Sequence, residues 1–186
     1  MLNFFNTILT SSVFYFSLSA LILLFAATRK NNNYFDVRRI FREHLGLFRN
    51  SIFQYFVFYG TPLLMSIGTV IQKIVDDSIL VSVNIVISIF MSMLFAILSS
   101  IGNLNNKTEN CELNKLLSET YTAILFEAIL CICALIISFA VLFSDAKNAV
   151  VMTSISIILY YLVYAIILQV FIIVKRLSVL LREKNK

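Results

Sequence analysis

Residues 78–101 read SILVSVNIVISIFMSMLFAILSSI, with no charged side chain and no proline. As a helix rising ~1.5 Å per residue, this run spans the roughly 30 Å of hydrocarbon in a bilayer. A lone strand there would leave its backbone groups unpaired in lipid, so a strand is a poor alternative to a helix. On a 100° wheel Ser78, Ser82, Asn84, Ser88, Ser92 and Ser99 share less than half the circumference, with Ala96 among them. Leu80, Ile87, Leu94 and Leu98 fall opposite. Small polar residues of this kind permit close helix contact, and they can also line a narrow wet path. Packing is the reading we favour for them.

Working outward, four more apolar stretches are long enough to span: 7–27, 51–72, 120–143 and 149–174. The composition agrees. Hydrophobic residues make up 60% of the 186 and charged ones 13%, against roughly 45–50% and about 25% in soluble domains. The sequence therefore predicts an all-α integral membrane protein: five transmembrane helices in one polytopic domain over 1–186. The first stretch lacks a basic n-region, and Arg29 and Lys30 follow it, so it reads as a retained reverse anchor, not an export signal.

The basic residues divide by loop. Arg29, Lys30, Arg38, Arg39, Arg42 and Arg49 lie between the first two spans, Lys107 and Lys115 in 102–119, and Lys175, Arg176, Arg182, Lys184 and Lys186 in the tail 175–186. That places thirteen of the fifteen on one side and leaves Lys73 and Lys147 on the other. The positive-inside bias then puts the N-terminus outside and the C-terminus in the cytoplasm. On this topology Asn106-Lys107-Thr108, a glycosylation-like triplet, is a chance match in a cytoplasmic loop.

Segment 33–50, NYFDVRRIFREHLGLFRN, predicts an amphipathic cytoplasmic helix. Tyr34, Val37, Phe41, Leu45 and Phe48 form a stripe, with Ile40 and His44 beside it and Arg38, Arg42 and Arg49 on the flank. Asn33 can cap it, Asp36 suits the first turn, and Gly46 marks its expected end. His44 reads as an interfacial aromatic. Arg38, Arg39, Arg42, Arg49, Lys175, Arg176 and Arg182 are the candidate contacts for anionic headgroups or for a soluble cytosolic partner. Leu113, Leu116 and Leu117 suggest a short amphipathic lead into the fourth span, and the fifth helix is expected to run about two turns into the tail.

Inside the spans Glu127 is the one acid, and an acid there costs on the order of 3 kcal/mol on insertion scales. Gln54 and Gln169 are its candidate partners by depth. Gly60-Thr61-Pro62 predicts a kink or hinge in the second span. Thr153, Ser156, Tyr160 and Tyr164 form a stripe expected to face the third span.

No enzyme is expected, because no metalloprotease motif, nucleophile elbow or paired catalytic carboxylates occur. Cys131 and Cys133 lie in one apolar run, Cys111 in a polar loop and the single histidine, His44, on another segment, which predicts free thiols, no metal and no cofactor. Direct nucleic-acid binding is not expected either. The function these features suggest is a small self-assembling protein of a microbial cell membrane that forms or controls a pore or an ion or proton path. An anchor that recruits a cytosolic partner is the alternative, and a small transporter ranks last, since five spans do not divide into two repeats. By size and layout alone the chain is similar to membrane subunits of microbial anti-phage or toxin-immunity systems; no residue motif carries that likeness.

Overall fold

The helices begin and end where apolar runs meet charged or turn-forming residues. The computed structural model describes residues 37–47, 52–105, 111–143 and 149–184. Among them every residue is helical except 73–76 and the turn residue Phe143. The stretch 7–27, together with Asn33, Tyr34, Asp36, Phe48 and Arg49, lies outside the described residues.

Helix α1 is Val37–Leu47, and it runs through Gly46 instead of ending there. Helix α2 occupies 52–72 in three parts: one α-helical turn Ile52–Tyr55, a π-helical turn Phe56–Gly60, and Thr61–Gln72. Pro62 sits in the first turn of the last part. A proline lacks the N–H for its own hydrogen bond and crowds the carbonyl four residues back. The wider π turn is where that misfit is absorbed, so the irregularity expected at Gly60 and Pro62 takes this form.

Lys73 leaves the helix in an extended conformation, with its N–H on the Thr69 carbonyl at 2.8 Å. Asp76 then starts α3, Asp77–Asn105. Its Oδ1 accepts from the Ile79 N–H and the Ser78 hydroxyl, both at 2.9 Å, and Oδ2 pairs with Lys73 Nζ at 3.0 Å. Helix α4 is Cys111–Leu142 and α5 is Ala149–Lys184. The lead into the fourth span is therefore the start of α4 itself, with Leu117 buried. At ~1.5 Å per residue α5 is roughly 54 Å long, well beyond a hydrocarbon core. Among the described residues four helices are long and apolar enough to cross a membrane: Phe53–Gln72, Asp77–Gly102, Asn114–Leu142 and Ala149–Leu180.

In space the order is α3, α4, α5, α2, with α1 laid on α4. Helices α2 and α3 follow one another in sequence but share almost no contact beyond their turn. Leu80, Ile87, Leu94 and Ile101 are buried on α3, and Leu159, Ile166, Ile173 and Leu180 on α5. Both series repeat every seventh residue, which keeps a seam facing one neighbour at a shallow crossing angle. Helix α4 lies between them. Its buried positions Ala123, Cys131, Ala134 and Ser138 are small and let its neighbours approach closely.

Thr153, Ser156, Tyr160 and Tyr164 were expected to face the third span; Tyr164 instead meets the second span, Ser156 and Tyr160 meet the turn after it, and Thr153 donates to the Ala149 carbonyl of its own helix. The Tyr164 and Thr69 hydroxyls lie 2.8 Å apart, Tyr160 donates to the Lys73 carbonyl at 3.2 Å, and Ser156 accepts from the Val75 N–H at 3.2 Å. The physical reason is the splay of α2 from α3, which leaves α5 as the neighbour able to satisfy backbone groups exposed where α2 ends.

Candidate functional site at the basic end of the helices

Helix α1 docks on α4 through one edge of its apolar stripe. His44 is fully buried and stacks on Phe126, with centroids 3.9 Å apart and planes 7° from parallel. Phe41 meets the same ring edge-on at 4.9 Å. Beside them Thr122 donates to Glu43 Oε2 at 3.3 Å, while Glu43 Oε1 holds Arg39 Nε at 2.7 Å. Arg176 of α5 pairs with Glu119 of α4 at 3.0 Å, half-screened from solvent. Burial first, and the Arg176 charge second, hold the His44 pKa down at about 4 against an ordinary 6.5. The imidazole is therefore neutral near pH 7, as flat stacking in an apolar seat requires.

His44 is thus a packing anchor within the protein. Phe41 and Leu45, the centre of the stripe, stay 38% and 40% exposed. The wheel of an isolated helix finds its apolar direction, but not how that direction is divided between a neighbouring helix and the surroundings.

These contacts bring α1, the start of α4 and the end of α5 to one end of the molecule. Arg38, Arg39, Arg42, Lys175, Arg176 and Arg182 all lie there, as does Lys115, and Lys73 lies at the other end. The described basic residues of these three segments therefore share one end in space.

Glu127 follows Phe126 on α4 and is fully buried, and neither carboxyl oxygen has a hydrogen-bond partner among the described residues. Neither expected partner bonds to it. Gln169 is buried on α5, and Gln54 is exposed on α2. Glu127 also lies apart from the serine face of α3. That face points away from the packed seam: Ser82, Ser88, Ser92 and Ser99 are exposed, and packing inside the protomer does not use them. Their hydroxyls turn back on their own helix, Ser82 to the Ser78 carbonyl, Ser88 to that of Asn84 and Ser92 to that of Ser88. A groove of about 510 Å³ runs along this face, lined by Val81, Asn84, Ile85, Ser88, Ile89 and Ser92 of α3 and by Phe139 and Leu142 of α4, so its polar groups sit among apolar ones. The Asn84 side-chain carbonyl is buried there with no partner among the described residues.

No group of His, Cys, Asp and Glu that could hold a metal occurs among the described residues, and Cys131 and Cys133 are free thiols. No protein-family model matches the chain, nor does any curated protein or solved structure. What the fold defines is a class: the described residues are helical throughout but for short turns, and the four long apolar helices among them point to a membrane protein.

Proposed function

We propose that the chain is a small membrane protein that assembles with copies of itself through the outward face of α3 and forms or controls a pore or ion path. In this reading 7–27 is a fifth span, the N-terminus is outside, and the basic end faces the cytoplasm of a microbe. The observation that carries the proposal is the polarity of that outward face. Side chains toward lipid are ordinarily apolar, yet here Ser82, Ser88, Ser92 and Ser99 are exposed beside a groove holding the Asn84 amide. Serines that donate to their own helix survive in lipid, and their lone pairs remain for a second copy or a file of water. The asparagine is the stronger group, because an amide left in hydrocarbon without a partner is costly. The opposite face of α3 is already spent on α4, so assembly would use the polar one.

The test is reconstitution of the full chain in liposomes, reading ion release and, by native mass spectrometry, subunit number. The wild type is expected to be oligomeric and leaky, and Asn84→Leu combined with Ser88→Leu to lose both properties. A wild type that is monomeric and silent would sink the proposal.

A further inference from the structure

The acids and bases at the basic end sort themselves unevenly. Glu43 is taken by Arg39 and Thr122, and Glu119 by Arg176. Arg38, Arg42, Lys115, Lys175 and Arg182 remain, all exposed and without an ion pair among the described residues. Arg38 and Arg42 are one turn apart on α1, and so are Phe41 and Leu45 next to them. With the His44 edge seated on α4, the free side of α1 is thus half apolar and half basic.

The depth of this helix can be read from its neighbours. Glu119 and Arg176 lie just outside the apolar runs 120–143 and 149–174, so their ion pair marks a polar border. Helix α1 docks at that border through Thr122 and Phe126. An exposed pair of arginines beside an exposed pair of apolar side chains, at the height where hydrocarbon gives way to water, fits a phospholipid. The guanidinium fork matches phosphate oxygens, and Phe41 and Leu45 match the upper acyl chains. A soluble acidic protein would meet the charges but would have to cover the apolar pair as well.

We propose that Arg38 and Arg42 of α1 bind anionic phospholipid headgroups, with Phe41 and Leu45 set into the acyl region beneath them. Bound lipid then covers the face of α1 that α4 leaves open. The proposal stands apart from the pore reading and holds for a monomer or an oligomer.

The full chain is placed in nanodiscs of zwitterionic lipid alone and of the same lipid doped with phosphatidylglycerol. The sequence contains no tryptophan, so Leu45→Trp supplies a single fluorophore. Its emission is expected to shift to the blue in the doped discs and to return with salt. Native mass spectrometry is expected to show anionic lipid retained over neutral lipid. Arg38→Gln and Arg42→Gln should each lower that preference about fivefold, the effect of one basic residue near an anionic surface. Lys73→Gln, at the other end, should leave it unchanged. Neither arginine is in an ion pair among the described residues, so an unchanged melting temperature separates lost binding from lost folding. Equal retention by wild type and the double variant overturns the proposal. So does an emission maximum that ignores lipid charge, or loss of a co-purified soluble protein with lipid preference intact.

Discussion

His44 lies flat on Phe126, 3.9 Å between ring centroids, and this stack joins α1 to α4. Both side chains are buried, and Phe41 closes the same ring from its edge. Truncating Phe126 removes two aromatic contacts and leaves a cavity under α1. Phe126→Ala is therefore expected to cost about 3 kcal/mol, as for large-to-small core changes, whereas His44→Phe retains the stack and most of the stability. Thermal unfolding in detergent checks the first. Thiol labelling of Thr122→Cys, at a position buried beneath α1, would report whether α1 has lifted from α4.

The same stack should be sensitive to pH. The His44 pKa lies at about 4 in the folded protein against 6.5 ordinarily, because the seat desolvates the imidazole and Arg176 repels a second positive charge. Between those values the unfolded or undocked state binds a proton that the docked state does not. Docking is accordingly at full strength above 6.5, weakens as the pH falls toward 4, and changes no further through this group below that. His44→Phe should flatten the dependence, and thermal unfolding in detergent across this range would show it. A profile identical in wild type and His44→Phe would count against the assignment.

Asp76 makes a second prediction at the opposite end. It caps α3 through the Ile79 N–H and the Ser78 hydroxyl, and these bonds together with Lys73 hold its pKa at about 2, below the ordinary 3.8. A depressed acid stabilises above the unfolded pKa and loses that contribution as the pH falls through the folded one, here from 3.8 down to 2. Asp76→Ala should fray the first turn of α3, seen as faster amide exchange at 77–80, while Asp76→Asn keeps an acceptor and most of the protection.

Which parts of this architecture the sequence could disclose depends on whether the deciding contacts are local. The wheel of α3 separated Leu80, Ile87 and Leu94 from the serines, but it did not say which face packs: packing was expected of the serine face, and the structure buries the leucine face instead. Helices with long apolar runs were legible, because such a run is local. His44 on Phe126 was not, since it depends on how α4 meets α1, and nothing in either segment names the other. The outward turn of Ser88 and Ser92 was missed because a stripe of small residues reads alike whether it packs or not. The contact of Tyr164 with Thr69 required knowing that α2 and α3 splay from their turn. Glu127 was conspicuous as an acid in an apolar run, but the absence of Gln54 and Gln169 from its carboxyl could come only from coordinates.

Gly60 closes the π turn of α2, and a β-carbon there would meet the Phe56 ring at 3.2–3.4 Å. That contact is tight, but Phe56 is 64% exposed and its ring can swing away. Alanine also gains up to about 1 kcal/mol over glycine in a helix. Gly60→Ala is therefore expected to be neutral or to stabilise by a few tenths of a kcal/mol. Loss of more than 1 kcal/mol in detergent melts would mean that the turn needs glycine for movement or for a closer contact.

Glu127 offers the clearest separation of structure from function. Its carboxyl is fully buried, with neither oxygen hydrogen-bonded among the described residues, on a stripe of small buried side chains that includes Ala123, Cys131 and Ala134. An acid at such a place costs on the order of 3 kcal/mol to insert, and no partner here offsets that cost. A side chain of like shape without the acid should therefore fold better. Glu127→Met is expected to stabilise by about 1–3 kcal/mol, and Glu127→Gln to change stability less, because its amide is still polar. If the carboxyl serves an ion or proton path, both variants should lose ion release from liposomes even as Glu127→Met melts higher, the opposition expected where a working group is held at the expense of stability. A Glu127→Met protein that melts lower would show that the carboxyl is held by a partner after all, and one that melts higher with release intact would make the acid dispensable.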